Sequence, residues 1–321
     1  MFREKAEMPH RRRTLHPVFA AGALAAVLCC AGADNSRSVV VAAPTHSAPA
    51  QAESGAQQAQ VPLPNKDSSL HFAVIGDNGD GDREPYEIVK QMLNWHGRFN
   101  FPLVVMMGDN IYGSDRPQDF VKKFEAPYKG LLDKGVKFYA SLGNHDSREQ
   151  RFYKLYNMDG KLYYTFKAPK EDVRFFALES TYMDRDQLKW IEDELKKSNE
   201  KWKIAFFHHP LYGSARTHGS QLQLRAVLEP LFIQYNVSLV LNGHDHVYER
   251  IKPQNGIHYF VEGSSGKLRA GDLRRGSPLT AFGNDTTRTF ILMEIDGDTL
   301  TFNTVDMAGN VIDSGTITRR K

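Results

Sequence analysis

Beyond residue 30 the sequence contains no cysteine: Cys29 and Cys30 are adjacent and are the only two in 321 residues. The rest of the chain can form no disulfide and no thiolate metal site, so any ion it holds must sit on nitrogen and oxygen ligands. A charge excess is also missing. The whole chain has 41 Lys+Arg and 38 Asp+Glu, and residues 1–33 contribute Arg3, Lys5, Arg11, Arg12 and Arg13 against Glu4 and Glu7. Past residue 33 the signs balance at 36 each. The pI near 8.7 thus comes largely from the first segment, and nucleic acid is not expected as a partner.

Long apolar runs are missing too, with one exception. Pro17 to Ala33, mostly Ala, Val and Leu, follows Arg11-Arg12-Arg13 and ends in Ala31-Gly32-Ala33. A basic start, an apolar middle and a small-residue end make the layout of a secretory signal. The run falls short of the roughly 20 apolar residues a membrane helix needs. The expectation for residues 1–33 is therefore a removable signal peptide and export to the periplasm or the exterior, with no stable membrane span afterwards. A retained anchor is the competing reading. The residues after the arginines match a twin-arginine signal poorly, and Val27-Leu28 before Cys29 does not supply the small residues of a lipoprotein site.

Residues 34–69 are rich in Ala, Pro, Gln and Ser with no period of 2 or 3.6, which predicts a flexible linker. From Leu70 the pattern changes, and residues 70–318 read as one catalytic domain. Short apolar runs at 71–75, 103–107, 136–140, 203–207 and 237–241 alternate with helical patterns at 85–95, 117–132, 186–197 and 221–235. That alternation predicts a largely parallel sheet with helical covers. Strand-like segments at 257–263, 287–295, 299–306 and 311–318, the last three divided by Asp296-Gly297-Asp298 and Ala308-Gly309-Asn310, add a β meander. A further hairpin is expected from 163–167 and 173–178. The simplest architecture is α/β: a four-layer αββα sandwich of two mixed β-sheets flanked by helices.

Each of the five first runs ends in a side chain able to hold a metal. They finish in Gly76-Asp77-Asn78-Gly79, in Gly108-Asp109-Asn110-Ile111-Tyr112, in Gly143-Asn144-His145-Asp146, in His208-His209-Pro210, and in Asn242-Gly243-His244-Asp245-His246. The carboxyl ends of strands form the binding crevice of open α/β sheets. A lone Gly-Asp at a strand end is usually a turn; five such endings in order are not five separate accidents.

This ordered set resembles the calcineurin-like metallophosphoesterases, and within them the purple acid phosphatases of the small tartrate-resistant type. The resemblance covers roughly 70–317. Where the wider superfamily carries Asp-x-His in its first motif, this chain has Gly79, and Tyr112 three residues beyond Asp109 supplies the replacement. The resemblance implies two metal ions. Asp77, Asp109, Tyr112 and His246 would hold the first, and Asp109, Asn144, His208 and His244 the second, with Asp109 between them. Two carboxylates and a phenolate suit Fe³⁺; an amide and two imidazoles suit a divalent ion such as Zn²⁺, Fe²⁺ or Mn²⁺. The implied activity is hydrolysis of a small phosphate monoester by in-line attack of a metal-bound hydroxide. His145 and His218 match the family's substrate-side histidines and would bind phosphate or protonate the leaving group.

Other readings stay open at this level. His208 and His209 are exchangeable from the residues alone, although alternation along 204–208 and the family pattern favour His208. Asp146 and Asp245 are expected to orient imidazoles, with simple loop capping as the alternative. The Gly-rich stretch 263–286, with Lys267, Arg269, Arg274 and Arg275, reads as a solvated loop rather than a basic rim. Asn236-Val-Ser238 and Asn284-Asp-Thr286 match glycosylation sequons. A phosphodiesterase with the same metals is the alternative activity, and a binding protein with a vestigial site is the reading from another class. Nothing in the sequence bears on the oligomeric state.

Overall fold

Strand parity explains how the two sheets stack. In Val173–Ala177 and Trp202–Phe206 alternate residues divide between two apolar clusters: Phe175, Ile204 and Phe206 face the other sheet, while Phe176 and Ala205 face helices. The computed structural model describes residues 60–321, with the backbone alone at 83–85. The signal peptide expected at 1–33 lies outside the described residues.

Thirteen strands are present among the described residues, in chain order: β1 (Leu70–Ile75), β2 (Leu103–Met107), β3 (Lys137–Ser141), β4 (Tyr164–Lys167), β5 (Val173–Ala177), β6 (Trp202–Phe206), β7 (Leu239–Asn242), β8 (Tyr248–Gln254), β9 (Ile257–Glu262), β10 (Thr280–Asn284), β11 (Thr289–Asp296), β12 (Thr299–Asp306) and β13 (Val311–Thr318). One sheet has six strands in the order β13-β12-β11-β1-β2-β3, and the other seven in the order β10-β8-β9-β7-β6-β5-β4. β1, β2 and β3 are parallel, as are β5, β6, β7 and β9, while the meander joins β1 through the antiparallel β11. Both sheets are mixed, as expected.

Helices cover the outer faces. Ile88, Val89 and Met92 of α1 (Arg83–His96) join the cluster of the first sheet. Ile191 and Leu195 of α4 (Arg185–Lys197), with Leu228 and Phe232 of α5 (Leu222–Gln234), pack on the second. The inter-sheet layer is rich in aromatics. Phe72 meets Phe175 edge-on at 5.4 Å, and Phe260 meets Phe302 at 5.0 Å. These edge-to-face ring pairs add to the burial that holds the sheets together.

Three expectations are corrected. The helix read over 117–132 is interrupted: α2 (Pro117–Phe120) passes into a π-helical turn at Val121–Glu125 and then α3 (Ala126–Leu132). Pro127 has no amide hydrogen to donate back into that stretch, and the wider turn absorbs the missing bond. The linker expected through residue 69 ends earlier. Val61 N–H donates to Ser314 Oγ at 2.8 Å, the amides of Asn65 and Lys66 donate to the Glu294 carboxylate, and Leu63 packs on the core. Finally, the stretch 263–286 contains an edge strand, β10, paired antiparallel with β8.

Candidate metal centre

All five motifs converge between the two sheets, at the carboxyl ends of β1, β2, β3, β6 and β7. Parity places His208. Ile204 and Phe206 face the inter-sheet layer, and two residues further on His208 does the same, fully buried, with Nδ1 2.9 Å from Met107 O at the end of β2. His209 turns to the other side, where its Nδ1 lies 2.9 Å from Ser180 Oγ. His208 meets Asn144, His244 and Asp109 of the other motifs, and His209 also presents a ring nitrogen within 4.8 Å of those of His208 and His244.

The residues expected as ligands form two groups. In the first, Tyr112 Oη lies 3.0 Å from Asp77 Oδ1 and 3.2 Å from His246 Nε2, and His246 Nε2 lies 3.4 Å from Asp77 Oδ1. Asp77, Asp109 and His246 each present one ligand atom within 4.8 Å of the other two. In the second, His208 Nε2 lies 3.0 Å from Asn144 Oδ1, 3.1 Å from His244 Nδ1 and 3.5 Å from Asp109 Oδ1. Asp109 reaches both groups.

The backbone is bent to make this possible. Asp77, Asp109 and His244 all have positive φ, at 52°, 52° and 71°, a conformation that costs a non-glycine residue free energy and collects at functional sites. The loops also approach closely. A Cβ on residue 143 would sit 2.2 Å from Asp109 Oδ1, so only glycine lets the third motif pass this carboxylate.

Electrostatics set the fit test for an ion. A carbonyl can only accept, so His208 donates Nδ1–H to Met107 O and its Nε2 carries a lone pair. Burial, followed by the neighbouring His209, pushes the His208 imidazole well below its usual range, so no second proton sits there. That lone pair faces the oxygen of Asn144, a nitrogen of His244 and a carboxylate oxygen. His244 is lowered by burial and then by His208. In the first group burial, then the charge of Asp109, raises Asp77 well above the carboxylate range. Burial, then the charge of Asp77, raises Tyr112 far above the phenol range. A buried imidazole lone pair facing an amide oxygen and a carboxylate oxygen, and acids pushed toward neutrality, are what a pair of cations would relieve. The donor set, oxygen-rich in one group and nitrogen-containing in the other, fits two metal ions.

His145 and His218 border the centre and are exposed. The His145 ring lies 5.0 Å from that of Tyr112, and the His218 ring 4.2 Å from that of His244. Asp146 and Asp245 do not orient imidazoles, contrary to expectation. The Asp146 carboxylate accepts from the amides of Asn110, Ile111 and Gly143 at 2.9–3.0 Å, and Asp245 accepts from Gly219 N–H. Free amides at the tops of the loops outcompete the rings, so both carboxylates splice loops. Two participants carried no sequence signal. Ser180 Oγ anchors His209, and Lys123, presented by the π-helical turn, donates to the carbonyl of Tyr112.

A family model described as calcineurin-like phosphoesterase matches residues 70–248. The chain belongs to that family. It is a metal-dependent phosphoester hydrolase, and its relatives within the family are purple acid phosphatases. It is 28% identical over 243 residues to purple acid phosphatase 4 of Arabidopsis thaliana, covering 65% of this chain and 71% of that protein. It is 23% identical over 237 residues to tartrate-resistant acid phosphatase type 5 of Mus musculus, covering 61% and 72%. Its fold is similar to that of a purple acid phosphatase from yellow lupin (Lupinus luteus) seeds, with a TM-score of 0.67 and 20% identity over 80% of this chain and 55% of that one. A like fold, with a TM-score of 0.66 and 20% identity, occurs in GAP50, the anchor in the inner membrane complex of Plasmodium, covering 79% of this chain and 90% of that one. The five motifs lie at the strand ends of this fold.

Proposed function

We propose that this calcineurin-like phosphoesterase is an exported phosphomonoesterase with a dinuclear centre. Asp77, Asp109, Tyr112 and His246 hold one ion, taken to be Fe³⁺. Asp109, Asn144, His208 and His244 hold the other, a divalent Zn²⁺, Fe²⁺ or Mn²⁺. The observation that carries this is the convergence of the unprotonated, buried His208 Nε2 with Asn144 Oδ1, His244 Nδ1 and Asp109 Oδ1, all within 3.5 Å of it. Bound, such a pair supplies Lewis acidity and a water acidified far below the pKa of bulk water.

The chain's own residues do the rest. Met107 O fixes the His208 tautomer, and His244 N–H, donating to Asp77 Oδ2 at 2.8 Å, ties the two groups together. His145 and His218 stand at the rim, where an imidazole can bind a phosphate oxygen or hand a proton to the leaving alkoxide. Export is supported by the first 33 residues, which hold both cysteines and the excess of positive charge. Among the described residues no helix is long and apolar enough to cross a membrane.

The test is metal analysis of full-length protein purified without chelator, with turnover of p-nitrophenyl phosphate and of bis(p-nitrophenyl) phosphate. Two metal ions per chain and at least tenfold faster monoester turnover are expected. Faster diester turnover replaces the reading with a phosphodiesterase, and protein that binds no metal and turns over neither ends it. The mass of secreted protein checks export: a chain lacking about 33 residues is expected.

A further inference from the structure

Behind His218 lies a cavity of about 530 Å³, bounded by the loop 213–220 and by 274–279 from the stretch before β10. Its lining includes Arg274 and Arg275 and no acidic residue. His218 belongs both to this lining and to the rim of the metal centre, where its ring lies tilted 4.2 Å from that of His244. His218 thus stands between this cavity and the metal centre.

The two loops are built together. Arg216 N–H donates to Asp272 O at 2.7 Å, Arg274 N–H donates to Ser214 O at 3.2 Å, and Ala215 bridges Leu273 antiparallel. The buried Asp272 carboxylate accepts from the Thr217 amide at 3.0 Å and from its hydroxyl at 2.7 Å. Asp245, itself between two centre histidines, holds Gly219 from the other side. His218 and the arginines are thus carried on one braced pair of loops rather than on a loose surface segment.

The nearby cations differ in how they are engaged. Lys267 is paired with Asp80, Arg269 faces Asp272 at 3.8 Å, and Arg275 is held at 3.0 Å by the buried Asp285. Among the described residues, no carboxylate pairs with Arg274. A second cavity of about 400 Å³ on the His209 side is lined by Met183, Leu188, Leu224 and Val227 with uncharged polar groups, so of these two the cavity at His218 carries the positive charge.

We infer that the Arg274 cavity receives a second anionic group of the substrate, so that the preferred substrates are phosphate monoesters whose leaving group itself bears a phosphate or carboxylate. This rests on the phosphomonoesterase reading and adds a substrate class to it. A planar guanidinium matches such an oxoanion in a bidentate fashion, and a braced loop spends little entropy on ordering.

The experiment compares kcat/KM of the metal-loaded full chain for fructose 1,6-bisphosphate and fructose 6-phosphate, with p-nitrophenyl phosphate as reference. The bisphosphate is expected to lead by roughly tenfold at low ionic strength, the scale of one charge-assisted hydrogen bond, beyond its statistical advantage of about two. Arg274→Gln should cost the bisphosphate at least about fivefold more than the monophosphate, mainly through KM. Arg274→Lys, which keeps the charge but loses the bidentate match, should retain only part of the preference, and added salt should erode it. Turnover of p-nitrophenyl phosphate with no preference between the sugars, or equal losses on both in Arg274→Gln, overturns the inference and leaves the phosphatase reading standing. Turnover of none of the three removes both.

Discussion

The amide of Tyr112 donates to the carbonyl of Gly79 at 3.0 Å, and the amide of Gly79 donates to Asp109 O at 3.2 Å. The first and second motif loops run so close that a Cβ on residue 79 would lie 2.0 Å from Asn110 O and 2.4 Å from Ile111 N. No histidine can stand at 79 while the second loop keeps this path. The same path brings the Tyr112 hydroxyl to Asp77. The bare position at 79 and the phenol at 112 are therefore one structural arrangement, not a lost ligand and an unrelated gain.

Gly79→Ala should accordingly act at a distance. The methyl group meets backbone rather than a flexible side chain, so the second loop must shift, at the roughly 1–3 kcal/mol typical of overpacking. For a domain of this size that lowers Tm by about 3–10 °C. Tyr112 moves with the loop, so metal content should fall as well. Thermal scans and metal analysis of the variant check both; an unchanged Tm with full metal would show that the loops are not coupled.

Tyr112→Phe separates the phenol from the fold. The ring stays beside His145 and the loop keeps its backbone bonds, so Tm should change by no more than a few degrees. Oxidised wild-type protein should absorb broadly in the visible region if a phenolate binds Fe³⁺, and the variant should lose that band. Colourless wild-type enzyme that is active with zinc or manganese in both positions would show that Tyr112 does not select iron.

The five strand-end motifs were legible because each follows a short apolar run that can only be an inner strand. Parity along 204–208 turns His208 toward Asn144 and Asp109. What escaped lacked that contrast. β8 reads Tyr-Glu-Arg-Ile-Lys-Pro-Gln, charged because it lies near a sheet edge, and β10 is Thr-Ala-Phe-Gly-Asn, the edge itself. Edge strands need not bury both faces, so hydrophobic runs do not announce them. The roles of Asp146 and Asp245 were misread for a different reason. Which of several nearby donors a carboxylate meets depends on loop paths, and sequence adjacency to a histidine says nothing about those.

His208 and His209 can be told apart by metal binding. His208→Ala removes the buried nitrogen that faces Asn144, His244 and Asp109, and the protein should lose at least half of its bound metal and most of its activity. His209→Ala removes a ring bonded to Ser180 and should keep its metal. Equal metal loss in the two variants would place His209 among the ligands, where its nitrogen's position within 4.8 Å of those of His208 and His244 would allow it.

A buried ion pair joins the two sheets. Arg250 on β8 donates to Asp313 on β13 through Nε at 2.8 Å and Nη2 at 2.9 Å, and Tyr248 Oη donates to the same carboxylate at 2.7 Å. Asp313→Ala strands Arg250 and the phenol, and urea unfolding should show a loss of about 3 kcal/mol, near the lower end for such breaks because Arg250 can reach water. Replacing both partners, as Arg250→Met with Asp313→Leu, should cost less than the single change. A double variant as unstable as the sum of its singles would mean the pair does not act as a unit.

Glu262 at the end of β9 gives the fold a pH dependence with a definite sign. Its carboxyl is fully buried, and that burial raises it to about 7 even though Thr289, Ser264 and Ser265 hydrogen-bond it. In the unfolded chain the group ionises near 4.3, so the unfolded state releases its proton first as pH rises. The native state is then penalised progressively between about pH 4 and 7, by roughly 4 kcal/mol once the group is ionised in place. Glu262→Gln keeps the hydrogen bonding and cannot ionise: its amide can donate to Thr289 Oγ1 while its oxygen still accepts from Ser264. The Tm of the variant minus that of wild type should therefore be near zero or slightly negative at pH 4.5 and rise to a gain of several degrees by pH 8. Taking the difference cancels the titration of every other group. A difference that stays flat with pH, or falls as pH rises, would mean that Glu262 ionises in the native protein as readily as in water.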